Sequence, residues 1–393
     1  PQICFSPSTF SADSGTSAEK VEGLKHIWGR TDLIPLWVAD MDFATAPFVT
    51  DAIRKRCENE VLGYTGKPDS YYNAIINWVK QRYDLIVTKE VINFVPGIVP
   101  GIGMAMNCFT QKGDKVMIQP PVYHPFAWVT TRNERTLVIN PLKWENGMYR
   151  MDLDAFREQI KGCKLFILCN PHNPGGVVWT EAELRAIADI CYDEKVLVFS
   201  DEIHADLTLP PHTHRPFATV SEKARMNSVT FMSPSKAFNM PGLSASHALI
   251  FNEDLRKRFR IYMDAGELDM GHVFAFLSVE AAYSHGTEWL DQCLAYIQGN
   301  IDFVDEFLKK HAPKIKAIRP EASYLVWLDC RELELSQKDL NEFFVDKAHL
   351  ALNDGEMFGK EGIGFMRLNV ASPRCIIEKA MKQLADAYQL YIK

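Results

Sequence analysis

No stretch of this 393-residue chain approaches the ~18 to 20 consecutive apolar residues a helix needs to cross a bilayer. The opening residues, Pro1-Gln2-Ile3-Cys4-Phe5-Ser6, lack the charged n-region and apolar h-region of a secretory signal. A start at proline implies that an initiator methionine falls outside this numbering. Excess positive charge is also absent: the net charge is -7 and the isoelectric point is near 5.9, which disfavours nucleic acid and anionic membranes as partners. The nine cysteines include no C-x-x-C pair, so neither a zinc ribbon nor a disulfide framework is indicated. Cys108, Cys169 and Cys191 lie inside apolar runs and read as small buried thiols of a reducing compartment, and the expected location is cytoplasmic. Cys169 lacks a neighbouring base or activating charge, which argues against a nucleophilic role. No metal is expected. His204, His212 and His214 lie close in sequence, but their spacing matches no strong ligand signature and the last two sit in a proline-rich loop. Internal repeats and low-complexity tracts are missing as well.

What remains is the composition of an ordinary globular protein, 47% hydrophobic and 24% charged, long enough for two domains and a sizeable core. Several apolar runs stop at polar, turn-forming clusters. Residues 115–118 lead into Pro120-Pro121-Val122-Tyr123, and residues 164–169 into Asn170-Pro171-His172-Asn173-Pro174-Gly175-Gly176. Residues 196–199 lead into Ser200-Asp201-Glu202-Ile203-His204, and residues 228–232 into Ser233-Pro234-Ser235-Lys236. Between them lie helical patterns such as 180–191, where Thr180 and Glu183 have capping-box spacing. Alternating strand and helix predicts an α/β fold with a parallel sheet, whose ligands sit beyond the carboxyl ends of its strands. Tyr123, Asn173, Asp201 and Lys236 are therefore expected to converge. A long helical pattern from Glu288 to about Lys310 leads towards a strand at residues 324–328.

Each of these residues has a plain structural reading beside a chemical one. Lys236, flanked by hydroxyls at a strand end, suits a bond to an aldehyde cofactor, or is a solvated loop lysine. Asp201 is an acid for a buried cation, or a helix N-cap. Asn173 is a ligand or a turn residue, and Tyr123 a stacking ring or a core aromatic. Gly97-Ile98-Val99, before Pro100 in a first helical turn, offers free N–H groups to a phosphate, or is an ordinary helix start. Arg367, alone in an apolar strand, is an anion clamp or half of a structural ion pair.

The motifs LWVADMDF (36–43), GYTGKPDSYYNAIINW (63–78), GDKVMIQPPVYHPF (113–126), CNPHNPGG (169–176), SDEIHADL (200–207), SPSKAFNMPGL (233–243) and ALNDGEMFGKEGIGFMRLNVASPR (351–374) resemble those of fold-type I enzymes dependent on pyridoxal 5'-phosphate (PLP). They fall in the aminotransferase class I/II superfamily, and most closely resemble its cystathionine β-lyase, or C–S lyase, branch. The resemblance runs over nearly the whole chain after about residue 33. It implies a mostly parallel seven-stranded sheet in a large domain, residues 46–285, and a smaller α+β domain at 286–393 that is joined by an N-terminal arm, residues 1–45. It implies that Lys236 carries the cofactor and then acts as base, with Asp201 on the pyridine nitrogen and Tyr123 stacked on the ring. Asn173 would bond the phenolic oxygen, with His204 nearby. Gly97, Ile98, Val99, Ser233 and Ser235 would hold the phosphate, with Tyr64 reaching it from the second subunit of a homodimer. Arg367, Ala39 and Asn173 would hold the carboxylate of a small amino-acid substrate.

The implied activity is β-elimination from L-cystathionine or a related cysteine S-conjugate, giving a thiol, pyruvate and ammonia. An aminotransferase using the same residues is the alternative, and a PLP-binding regulator with low turnover is a further one. The sequence departs from the family pattern in three places. Residues 11–32 match it poorly, Gly175 replaces an aliphatic residue, and Ser244 stands where many aminotransferases carry a phosphate-binding arginine.

Overall fold

The apolar runs that end in polar clusters become neighbouring strands of one sheet. In the computed structural model, which describes residues 18–391, seven strands lie in the order Ile92–Val95, Ser246–Leu249, Ser228–Met232, Leu197–Asp201, Cys163–Cys169, Lys115–Ile118, Thr136–Ile139. Neighbours run parallel except at Ser246–Leu249, which is antiparallel to both strands beside it. The expected α/β fold with a mostly parallel seven-stranded sheet is therefore the observed one.

Side-chain alternation explains why the central strands are apolar throughout. Phe166, Leu168 and Val198 point into a cluster with Leu184 and Ile187 of the helix Glu181–Asp193. Leu165, Ile167, Phe199 and Phe231 point the other way, against Ile102 and Met106 of the helix Ile98–Phe109. A strand covered on both faces needs apolar residues at every position, not every second one. Phe199 and Phe231 are fully buried, so truncating either to alanine would cost about 3 to 5 kcal/mol. Thr180 caps the helix Glu181–Asp193 through the reciprocal bonds of a capping box with Glu183.

A second sheet is antiparallel, in the order Lys316–Ile318, Leu325–Asp329, Phe365–Asn369, Asn353–Asp354. The helix Thr287–His311 leads to it from the large sheet. At 1.5 Å per residue its 25 residues span about 37 Å. The strand Ile34–Pro35 pairs in parallel with Leu350–Ala351, which fastens the start of the chain to this C-terminal half.

Two features were not anticipated. Ala18–Trp28 is a helix, within the segment that departs from the family pattern. Asn146 and Gly147, both at positive φ, form the two-residue turn of a hairpin pairing Lys143–Glu145 with Met148–Arg150. The first seventeen residues of the expected arm lie outside the described residues.

Candidate active site

Register places the candidate groups on one edge. Cys169 pairs with Asp201, and Asp201 with Phe231, so the segments beyond these strands emerge side by side. They open onto a cleft of about 210 Å³ whose walls include Ala39, Gly97, Ile98, Val99, Tyr123, Asn173, Asp201, His204, Ser235 and Lys236. Three predicted residues do not line it. Ser233 stands behind Ser235, Arg367 lies beyond Asn173, and Tyr64 is on the surface.

Lys236 Nζ donates to the carbonyl oxygen of Ala39 at 2.5 Å. Asp201 is buried and accepts a bond from the Ile203 amide at 3.1 Å. Burial raises its carboxyl from 3.8 to about 7, the Ile203 amide opposes this, the Glu202 charge adds to it and the Lys236 charge opposes it. Such a carboxyl is set to ionise when a cation arrives beside it. His204 is buried as well. Burial, then the charges of Lys236 and Arg367, hold its imidazole down at about 3, so it is neutral at physiological pH. Its Nδ1 has no hydrogen-bond partner among the described residues. Cys169 accepts from the Asn173 amide at 3.4 Å, and burial pushes its thiol well above the ordinary range. A thiol so disfavoured as an anion is a poor nucleophile.

The side of the cleft at Gly97, Ile98 and Val99 is a helix start. Gly97 precedes the helix Ile98–Phe109 at φ 128°, a conformation that only glycine adopts without strain. The free N–H groups of the first turn face an anion favourably. Ser233 Oγ donates to Ala245 O at 2.7 Å and lies 2.9 Å from Ser235 Oγ, so it holds Ser235 in place instead of facing the cleft. Ser244, which also lines the cleft, sits at φ 47°.

Arg367 is buried, and burial lowers its guanidinium to about 10. Nη1 donates to Asn173 Oδ1 at 3.1 Å, and Nη2 donates to Trp37 O at 3.0 Å and to Asn353 Oδ1. Its carbon lies 4.9 Å from the centre of the Phe358 ring. Nε is buried without a partner among the described residues. No carboxylate is among these partners, so the ion-pair reading of Arg367 is disfavoured. Asn353 and Phe358 were not singled out from sequence, although both lie within the motif at 351–374.

Tyr64 is 99% exposed, on an extended segment with exposed Val61 and Leu62 and close to Met270. Gly175 has a packing reason: a Cβ there would stand 2.9 Å from the Tyr149 ring and 3.0 Å from His172. The three histidines considered for a metal diverge. His214 bonds Glu202 at 2.7 Å, His212 lies 3.6 Å from Glu321, and His204 faces the cleft.

The family model for aminotransferase class I and II matches residues 31–384. Cystathionine β-lyase PatB of Bacillus subtilis (strain 168) is 37% identical over 375 residues, covering 95% of this chain and 97% of the relative. Among solved structures, cystalysin from Treponema denticola, which contains a pyridoxal 5'-phosphate cofactor, superposes with a TM-score of 0.94 at 32% identity over 100% of both chains. The PLP-bound C–S lyase from Staphylococcus hominis gives 0.88 at 33% identity, covering 98% of each chain. In these comparisons nearly the full length of each chain is covered.

Proposed function

The chain belongs to the aminotransferase class I and II family, and from that premise we propose that it is a PLP-dependent C–S β-lyase. Its substrates are L-cystathionine or related cysteine S-conjugates, and its products are a thiol, pyruvate and ammonia. The observation that carries the reading is the meeting of a lysine and a buried carboxyl at the strand edge that lines the cleft, beside an asparagine held by an arginine from the second sheet.

The residues present fit the cofactor. A carboxyl that burial holds near neutrality matches a ring nitrogen that brings a proton, and a glycine-led helix start matches a phosphate. When bound, PLP supplies an aldehyde for the lysine and a cationic ring that withdraws electrons from the substrate α-carbon. Lys236 Nζ would hold that aldehyde and, as a free amine, would be the base for the substrate α-proton. Asp201 would hold the ring nitrogen as an ionised carboxylate, Tyr123 would cover the ring face, and Asn173 and the neutral His204 would hold the phenolic oxygen. The amides of Gly97, Ile98 and Val99, with Ser235 held by Ser233, bind the phosphate. Arg367, Asn173 and the backbone at Ala39 would hold the substrate carboxylate and so turn the α-proton towards Lys236, with the β-carbon thiolate as leaving group.

Tyr64, too exposed to serve its own chain's cleft, reaches the phosphate of a second copy, and the active form is a homodimer. The large domain is residues 46–285 and the small domain 286–393, with the described part of the arm at 1–45 attached to the small one through Ile34–Pro35. Support for this division comes from the separate sheets and from the pairing of Ile34–Pro35 with Leu350–Ala351.

The deciding experiment incubates the holoenzyme with L-cystathionine and, separately, with an amino acid plus 2-oxoglutarate. Pyruvate and free thiol in the first are expected. Glutamate in the second without pyruvate in the first would replace the lyase with an aminotransferase.

A further inference from the structure

We propose that Tyr324 is a positioning residue for Lys236, acting through the carbonyl oxygen of Ala39, on which the tyrosine hydroxyl and the lysine side chain converge. The inference rests on the reading of Lys236 as the cofactor lysine and base. Lys236 Nζ donates to Ala39 O at 2.5 Å and Tyr324 Oη donates to the same oxygen at 3.0 Å. A carbonyl oxygen has two lone pairs and accepts both. Tyr324 is fully buried at the start of the strand Leu325–Asp329, and its ring packs whether or not it carries a hydroxyl.

That oxygen cannot readily turn away, because the strap around it is held on both sides. Asn369 Nδ2 donates to Val38 O and Asp40 O, each at 2.6 Å. Asn239 Nδ2 donates to Met41 O at 2.9 Å and Phe43 O at 2.7 Å, and its Oδ1 accepts from Met41 N at 3.0 Å. Arg367 takes Trp37 O. Asn369 belongs to the small sheet and Asn239 to the loop after Lys236, so the strap bridges the two halves of the site with Ala39 at its centre.

The consequence concerns the proton on Lys236. As an ammonium, the lysine is held by Ala39 O; as a neutral amine, it is released to the cofactor or the α-proton. A second donor on one oxygen draws electron density from it and weakens the first bond. The Tyr324 hydroxyl therefore loosens the hold on the ammonium and favours the reactive amine. The other titratable groups around this point are Asp40 and Cys293 beside Tyr324, Asp201 and His204 beside Lys236, Arg367, and Tyr123 across the cleft.

Only the neutral amine adds to an aldehyde, so the rate at which cofactor-free chain captures PLP, followed by visible absorbance against pH, reads this balance directly. Tyr324→Phe is expected to slow capture about 1.5-fold to 4-fold near pH 7, a change of about 10 to 30% in one charge-assisted hydrogen bond, and to move the profile to higher pH. Placing 3-fluorotyrosine at position 324, a stronger donor of nearly the same shape, is expected to move it to lower pH, and decides the matter if the phenylalanine variant fails to fold. Profiles that coincide with the wild type, or a phenylalanine profile shifted downward, overturn the proposal, and a change confined to melting temperature marks Tyr324 as structural. If the wild-type chain captures no PLP, it is the functional reading itself that fails.

Discussion

Replacing Asp201 with asparagine is expected to stabilise the cofactor-free chain at neutral and alkaline pH while disabling the site. The carboxyl is raised by burial from 3.8 to about 7. Between those values the folded chain keeps a proton that the unfolded chain has lost. Stability is therefore undiminished below about pH 4, falls as pH rises through the interval, and above about pH 7 is lower by up to about 4 kcal/mol, at 1.36 kcal/mol per pH unit. Asparagine has no such proton, keeps the acceptor for the Ile203 amide and is close in shape. In urea denaturation of both cofactor-free proteins at one protein concentration, the advantage of Asp201→Asn should grow by about 2 to 3 kcal/mol between about pH 5 and about pH 8. Comparing the two proteins at each pH cancels every other titrating group. With PLP bound the order should reverse, because the ring nitrogen then pairs with the ionised carboxylate. A gap that stays constant or shrinks as pH rises would show that Asp201 is not held near neutrality by burial, and the argument for a waiting cation site would fall with it.

Three further outcomes are expected. Lys236→Ala should lose both the visible band of the lysine-linked cofactor and the release of pyruvate; a band that persists would assign the cofactor to another lysine. Arg367→Lys keeps the charge but loses the fork, so it should raise KM by about 30-fold, about 2 kcal/mol at the low end for a buried charge pair, with the visible band intact. An unchanged KM would return Arg367 to a structural role. Mixing Tyr64→Ala chains with Lys236→Ala chains should restore about a quarter of the sites, since random pairing of a two-fold dimer gives half hybrids with one intact site each. No restoration despite demonstrated subunit exchange would place Tyr64 outside the shared site.

The candidate site was legible where chemistry sits at the end of a strand. Ser228–Met232 was read with the limits it has in the structure, and the helix read from Glu288 to about Lys310 is Thr287–His311. Each run shows an apolar stretch followed by an abrupt polar turn, and that contrast is local. The resemblance set Ser233 beside the phosphate; that its hydroxyl here meets Ala245 O is a matter of the backbone turn, which sequence does not show. Asn239, Asn369, Asn353 and Tyr324 gave no comparable signal. Asn239, Asn369 and Tyr324 meet carbonyls and amides far away in sequence, and Asn353 meets the Arg367 guanidinium; an asparagine or a tyrosine looks the same in sequence whether or not it has such a partner.

Sequence alone determined the parallel sheet and the set of residues at its carboxyl edge, because unbroken apolar runs and turn chemistry act over a few residues. The tertiary structure decided which of them face one another. It carried Ala39 across 197 positions to Lys236 and set Arg367 against Asn173, 194 positions away. It also buried Asp201 deeply enough to shift its carboxyl. Burial and long-range pairing are properties of the packed chain as a whole. No local window contains them, and the electrostatics of the site follow from them.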